Sequence, residues 1–355
     1  MENNFFERIF RSTIAKMNSY VPGEQPQNGT FIKLNTNENP YPPSESVLNH
    51  VREACTEDLR LYPDPNATRL RNLLSQTFEK RPNQFIVGNG SDELLTILIR
   101  SFAGEKDRIA YAYPTYGYYK PLIDVQGAES VVVEYPDDFS LPQELAKANA
   151  KLTFLVNPNS PSGTLLPIDV VEDLASRIEG ILVVDEAYVD FSTGGAMGLV
   201  DKHINVVVVR TMSKSFSLAG MRVGFACSNT NLINGMLKVK DHYNVNRLSL
   251  VAAEAAIEDI DSMRRNASLI SQTRETLTRS LRNMGFYVWD SAANFVLARS
   301  QKVPAKTLCD ILKKNGILVR HFNQPRLNDC LRITIGTKSE INFLLDKLRV
   351  ILTNQ

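Results

Sequence analysis

Short apolar runs recur along the first two thirds of the chain, each followed by a polar turn and then by a helical pattern. The runs are Phe85-Ile86-Val87, Arg108-Ile109-Ala110-Tyr111, Ser130-Val131-Val132-Val133, Leu152 to Val156, Ile181 to Val184 and Val206 to Val209. Runs this short and rich in β-branched residues read as strands buried on both faces. Their alternation with helical patterns predicts an α/β fold over residues 35–245, a mostly parallel sheet sandwiched by helices. Its ligand site is expected in the loops at the strands' carboxyl ends. A long helical stretch follows from about Ser249 to Asn283, with Gly285 as its stop. Beyond it, Phe295-Val296-Leu297, Gly316 to Val319 and Leu331 to Ile335 are strands separated by a helix, predicting a smaller α+β domain over 246–355. Residues 1–34 are turn-rich and read as an arm packing with the smaller domain or a partner subunit.

Composition narrows the choice of partners. A chain of 355 residues is long enough for two cored domains. Its formal net charge of +1 provides no concentrated basic surface for nucleic acid or an anionic membrane. The start, Met1 to Arg8, lacks a basic leader followed by an apolar core, and no apolar run approaches the roughly 18 residues of a spanning helix. A cytoplasmic protein is the expectation. Cys55, Cys227, Cys309 and Cys330 are far apart and form no CxxC pair, which suits free thiols. His50, His203, His242 and His321 are scattered and read as structural or surface residues, so no metal site is expected.

Four segments carry candidate chemistry. Directly after the four valines comes Thr211-Met212-Ser213-Lys214-Ser215, with Arg222 eight residues beyond the lysine. A lysine amine attacks carbonyls only when deprotonated, and desolvation or a nearby cation favours that form. Lys214 is therefore placed to hold an aldehyde cofactor as a Schiff base, with Arg222 beside it as a phosphate grip; a solvated loop lysine is the plain alternative. Gly88-Asn89-Gly90-Ser91-Asp92-Glu93 follows a strand and opens a helical pattern, which suits a phosphate at free helix-start amides or simply a helix cap. Asp185, in Asp185-Glu186-Ala187-Tyr188, lies at the end of a buried strand, where an ionised carboxylate needs a cationic partner or caps the next turn. A protonated pyridine would be such a partner, with Tyr188 near its ring oxygen. Asn157-Pro158-Asn159-Ser160-Pro161-Ser162-Gly163 is a rigid polar turn after a strand, fit to aim side chains at a ligand or to be a surface turn.

In order along the chain stand Leu34-Asn35-Thr36-Asn37-Glu38-Asn39-Pro40, Tyr62-Pro63-Asp64-Pro65, Gly90-Ser91-Asp92-Glu93, Pro114-Thr115-Tyr116-Gly117, Asp185-Glu186-Ala187-Tyr188, Ser213-Lys214 with Arg222, and Leu331-Arg332-Ile333-Thr334-Ile335-Gly336. Over nearly its whole length the chain thereby resembles the fold-type I pyridoxal-phosphate aminotransferases, and among them the histidinol-phosphate aminotransferase family. The resemblance implies that Lys214 forms the Schiff base and, once freed, shuttles a proton between the substrate's Cα and the cofactor. It implies that Asp185 pairs with the pyridinium nitrogen, Tyr188 contacts the ring oxygen and Tyr116 stacks on the ring. The cofactor phosphate falls to Ser91, Asp92, Thr211, Ser213 and Arg222, and to Tyr62 reaching across a homodimer. The family's turn ordinarily reads N-P-N-N-P-T-G, and its last asparagine bonds the ring oxygen. Here that place is Ser160, so the contact is lost, bridged by water, or passed to Asn157 or Asn159.

For substrate the resemblance implies Arg320, Arg332 and Tyr20 around a phosphate. The activity implied is transfer of the amino group of L-histidinol phosphate to 2-oxoglutarate in histidine biosynthesis. An aromatic amino acid aminotransferase or a threonine-phosphate decarboxylase on the same fold are the alternatives. A non-catalytic regulator would need a DNA-binding module for which the length and charge leave no room.

Overall fold

The computed structural model describes residues 5, 8–17, 21–26 and 29–353; Tyr20 lies outside the described residues. Among the described residues, twelve strands fall into two sheets. The first in the chain, β1 (Ile32–Leu34), belongs to the second sheet. The larger sheet holds β2 (Phe85–Gly88), β3 (Arg108–Tyr113), β4 (Glu129–Glu134), β5 (Leu152–Val156), β6 (Ile181–Asp185), β7 (Val206–Thr211) and β8 (Gly224–Ser228). Its order is β2-β8-β7-β6-β5-β3-β4, all parallel except β8, which runs antiparallel to both its neighbours. The six apolar runs in the sequence are six of these strands. The seventh, Gly224-Phe225-Ala226-Cys227-Ser228, has no β-branched residue and so gives no strand signal, yet all five of its residues are buried.

Apolar clusters fill both faces of this sheet, one under the helix Ser91–Phe102, the other under the helices Thr68–Phe78 and Ile168–Arg177. Strand β5 and the inner part of β6 are buried throughout, whereas edge strand β4 is partly solvated and carries Glu129 and Glu134. From β3 the chain moves outward to β4, and from β5 it moves the opposite way to β6 and β7. The crevice beyond the carboxyl ends of β3 and β5 is therefore a topological switch point, where open α/β sheets place ligands.

The second sheet has the order β1-β11-β12-β10-β9, with β9 (Phe286–Val288), β10 (Phe295–Ser300), β11 (Ile317–His321) and β12 (Cys330–Thr334). Strand β1 pairs parallel with β11, Ile32 opposite Ile317; the other pairs are antiparallel. A residue stretch read from the sequence as arm thus supplies an edge strand. At three residues each, β1 and β9 are too short for periodicity to reveal.

The stretch read as one helix from Ser249 to Asn283 is two, Arg247–Glu258 and Ile260–Asn283, hinged at Asp259 (φ −108°, ψ 43°). Asp259 ends the first helix through its own N–H to Ala255 and begins the second by accepting from Ser262 Oγ at 2.9 Å and Ser262 N at 3.0 Å. This is the local competition by which an aspartate breaks a helix. Gly285, at φ +87°, follows the second helix where a left-handed residue is needed.

Candidate active site

Lys214 lies on the loop leaving β7, and its backbone is tied down by Asn39, whose amide donates to the carbonyls of Lys214 (3.1 Å) and Ser215 (3.0 Å). Its Nζ donates to the Thr36 carbonyl at 3.2 Å and lies 5.9 Å from the centre of the Tyr188 ring. Two cavities meet at this lysine: a narrow one of about 100 Å³ and a wider one of about 520 Å³. Tyr116, Ser160, Tyr188 and Lys214 line both.

The narrow cavity has charge at both ends. At its floor Asp185, 3 % exposed, accepts from Tyr119 Oη (3.0 Å) and from the N–H of Ala187 (3.1 Å). Burial raises the Asp185 carboxyl to about 6, against the lowering effect of those two hydrogen bonds, and the carboxylate of Asp92 adds to the rise. None of its hydrogen-bond partners is cationic. At the opposite end, Ser91 and Asp92 begin a twelve-residue helix, so their amides have no carbonyl one turn back. Thr211, Ser213 and Arg222 line the same cavity. Arg222 donates to Ser213 Oγ at 3.2 Å and pairs with Asp92 at 3.2 Å, which offsets that carboxylate's charge. Gly90, at φ +83°, lets Arg222 in: a Cβ there would sit 2.7 Å from its Nη2. Tyr116 forms a side wall and donates from its hydroxyl to Asp92 at 2.9 Å.

A buried carboxylate without a cation at one end, and helix-start amides with a guanidinium and hydroxyls at the other, match a pyridinium ring carrying a phosphate. Lys214 lines the same cavity. Pyridoxal 5'-phosphate fits this donor set.

The wider cavity adds the second sheet. Arg332, at the centre of β12, donates to the Asn35 carbonyl (3.1 Å) and to Ser160 Oγ (3.4 Å), with its guanidinium 5.3 Å from the Phe295 ring and 5.4 Å from that of Phe322. Arg320, on β11 and next to Arg332 in register, donates to the carbonyls of Pro22 (3.1 Å) and Val21 (3.0 Å). Both line the cavity.

Most residues singled out in the sequence converge here; Asn157, Asn159 and Tyr62 do not. Asn157 does not line either cavity: its amide is spent on both backbone groups of Leu166, at 3.1 and 2.8 Å. Asn159 is likewise occupied by Pro114, Thr115 and Ser162. Among the polar side chains of that turn, Ser160 lines both cavities, and Arg332 engages its hydroxyl. Tyr62 is 77 % exposed, stacked on Tyr243 with ring centres 4.3 Å apart, and lines neither cavity of its own chain. None of the four histidines lines them, and among the described residues no group of three or more His, Cys, Asp or Glu side chains gathers as a metal site. All four cysteines are free.

Two residues that matter were not singled out. Tyr119, wholly buried and stacked on Phe154 at 4.7 Å, is the side-chain donor to Asp185; its position one helical turn past Tyr116 was the available signal. Asn37, in the sequence only a letter of a motif, donates to Tyr188 Oη at 3.0 Å.

The family described as aminotransferase class I and II matches residues 29–348. The histidinol-phosphate aminotransferase 1 of Nostoc sp. is 44 % identical over 348 residues, 98 % of this chain and 99 % of that protein. The histidinol-phosphate aminotransferase of Geobacter sulfurreducens is 44 % identical over 346 residues, 96 % and 99 % of the two chains. Among solved structures, the histidinol-phosphate aminotransferase of Sinorhizobium meliloti in complex with pyridoxal-5'-phosphate superposes with a TM-score of 0.90 at 28 % identity, covering 98 % of both chains. The resemblance read from the ordered motifs agrees with these relatives, and among the described residues no helix is long and apolar enough to cross a membrane. The chain belongs to the class I and II aminotransferases and is a fold-type I, pyridoxal-phosphate-dependent transaminase.

Proposed function

We propose that this enzyme moves the amino group of L-histidinol phosphate to 2-oxoglutarate, giving imidazole-acetol phosphate and glutamate in histidine biosynthesis. The observation that carries the reading is the pair of guanidinium groups, Arg320 and Arg332, lining the cavity that Lys214 also lines. A phosphorylated amine and a dicarboxylic keto acid both present anionic oxygens, and planar guanidinium forks suit both in turn. The names of the relatives favour this donor over aromatic amino acids and over decarboxylation of threonine phosphate.

In this reading Arg332, Arg320 and Tyr20 hold the substrate's anionic end and so fix where its Cα lies. Lys214 Nζ takes the proton from Cα and returns it on the other side of the transfer, at a distance its flexible stem allows. Bound pyridoxal 5'-phosphate supplies an electron-withdrawing ring that accommodates the electron pair left when the Cα–H bond breaks. Asp185 holds positive charge at the ring nitrogen, and Tyr116 covers a ring face and limits water. Tyr188 and Ser160 would hold the ring oxygen, while Asn157 stiffens the turn that presents Ser160. Ser91, Asp92, Thr211, Ser213 and Arg222 hold the phosphate.

The enzyme is a cytoplasmic homodimer in this reading, and the exposure of Tyr62 supports a role for this side chain in completing the partner subunit's phosphate site. The domain division that suits this is an arm through residue 34, a cofactor domain over 35–245 and a smaller domain over 246–355. The reading is tested by supplying purified holoenzyme with 2-oxoglutarate and a panel of amino donors and measuring glutamate. Histidinol phosphate is expected to be the fastest donor; phenylalanine or tyrosine reacting as fast would overturn it.

A further inference from the structure

Tyr188 lines both cavities, and its hydroxyl hydrogen has two possible destinations, the side chain of Asn37 or the cofactor ring. We infer that Asn37 and Thr334 together fix Tyr188 as a hydrogen-bond donor into the site, which makes both of them positioning residues for the cofactor's ring oxygen. The inference rests on the cofactor reading above.

The assignment follows from counting hydrogens. The backbone N–H of Asn37 points at Thr334 Oγ1 at 3.0 Å, and an N–H can only donate, so this threonine oxygen accepts. The same oxygen lies 2.9 Å from the side-chain amide of Asn37. Were the amide turned to present its NH₂ group there, Thr334 would accept twice and its own hydrogen would lack an acceptor. Thr334 is 1 % exposed, so that hydrogen has no water to turn to. The hydroxyl therefore donates to Asn37 Oδ1, which leaves Nδ2 facing Tyr188 Oη at 3.0 Å. An amide nitrogen donates only, so the phenol oxygen accepts, and the phenol hydrogen is released toward the site.

The arrangement is held firmly. Asn37 is 1 % exposed, sits in the left-handed region at φ 57°, and its carbonyl accepts from Asn294 Nδ2 at 3.0 Å. A phenol donated to the ring oxygen stabilises that oxygen as an anion and weakens its hold on the neighbouring imine proton, which lowers the pKa of the Lys214 imine. Thr334 lies two residues beyond Arg332 on β12. One strand thus carries both the grip on the substrate's anion and the switch that orients the ring oxygen's donor.

The test is a pH titration of the visible imine absorbance in the resting holoenzyme, a readout independent of turnover. Asn37→Asp replaces the amide donor by a group that only accepts, at a backbone conformation aspartate tolerates. It should capture the Tyr188 hydrogen and raise the imine pKa by about one unit. Thr334→Val removes the hydroxyl that orients the amide and should raise it in the same direction, Thr334→Ser should restore the parent value, and Tyr188→Phe sets the full shift. Besides Lys214, the charged groups lining the cavities are Asp92, Lys120, Asp185, Arg222, Arg320 and Arg332, and the variants at 334 and 188 leave them all unchanged. Asn37→Asp adds a carboxylate whose charge also raises the imine pKa, so the Thr334 pair separates orientation from charge. Variants at 37 and 334 that titrate with the parent, or a Thr334→Ser shift as large as that of Thr334→Val, would overturn the inference. Neutron diffraction of the deuterated parent decides the matter without any variant: a deuteron bonded to Tyr188 Oη and directed at Asn37 overturns it, one bonded to Tyr188 Oη and directed away from Asn37, with the amide deuteron of Asn37 aimed at Oη, upholds it. A parent without a visible imine band would instead count against the cofactor reading.

Discussion

The two ends of the site are built on different principles. At the cofactor end most polar groups hang from the carboxyl end of a parallel strand or the start of a helix of the larger sheet. Asp185 ends β6, Thr211 ends β7, and Ser91 opens the helix after β2. At the substrate end the cations come from the second sheet, and they donate to neutral oxygens: the Asn35 carbonyl and the Ser160 hydroxyl for Arg332, the Val21 and Pro22 carbonyls for Arg320. A carbonyl is a neutral acceptor that a phosphate or carboxylate outcompetes for a guanidinium. The cofactor end is thus organised before anything binds, whereas the substrate end is organised around partners that an anion displaces.

The largest expected effect breaks the cofactor end. Lys214→Ala should cost at least about four orders of magnitude in turnover, since both the nucleophile and the Cα proton carrier are lost. Single-turnover kinetics with histidinol phosphate measures this, and near-parental activity would refute the role of Lys214. At the substrate end, Arg332→Gln should lower kcat/KM by roughly 10²-fold, the worth of a lost charge-assisted pair. Arg320→Gln should cost only about tenfold, because its more open position screens the charge. Equal losses at the two positions would erase the distinction drawn between them.

The same contrast governs what was legible in the sequence. Val206 to Val209 followed by Lys214, and Ile181 to Val184 followed by Asp185, announce a strand and a strand-end group together, because a buried parallel strand is an unbroken apolar run. The partners of those groups are not announced. Tyr119 reaches Asp185 from a helix 66 residues earlier, and Asn37 reaches Tyr188 across 151 residues, so only the folded register brings them together. The substrate end was legible through Arg332 in its motif. That Arg332 engages Ser160, and that β1 leaves the presumed arm to flank β11, depends on pairings between distant short segments. The polar turn at residues 157–163 shows the limit most plainly: three side chains were equally able to reach the ring, and the turn's own hydrogen bonds consume Asn157 and Asn159.

Preorganisation of the cofactor end has a cost that pH exposes. The Asp185 carboxyl is raised to about 6 in the folded chain, while the unfolded chain has an ordinary aspartate near 3.9. Between those values the folded state binds more protons, so stability falls as pH rises from about 4 to about 6 and levels off above. The loss is on the order of 3 kcal/mol for the cofactor-free protein. A cation at the ring nitrogen removes it by favouring the ionised form. Thermal unfolding from pH 4.5 to 7.5 should therefore show a decline in the cofactor-free protein that Asp185→Asn lacks. A parallel course for parent and variant would mean that burial does not penalise this carboxylate.

The smallest expected effect sharpens the point. Tyr119→Phe deletes the hydroxyl that donates to Asp185 while keeping the ring stacked on Phe154 and edge-on to Tyr116. That hydrogen bond lowers the carboxyl against the larger effect of burial. Without it the Asp185 pKa should rise by about a further unit, extending the declining part of the stability curve upward by the same interval. Cofactor affinity near neutral pH should weaken by no more than about tenfold, because the ionised carboxylate becomes harder to form. An unchanged curve would mean that the Ala187 amide alone supports the charge; loss of cofactor binding altogether would mean that Tyr119 shapes the pocket itself.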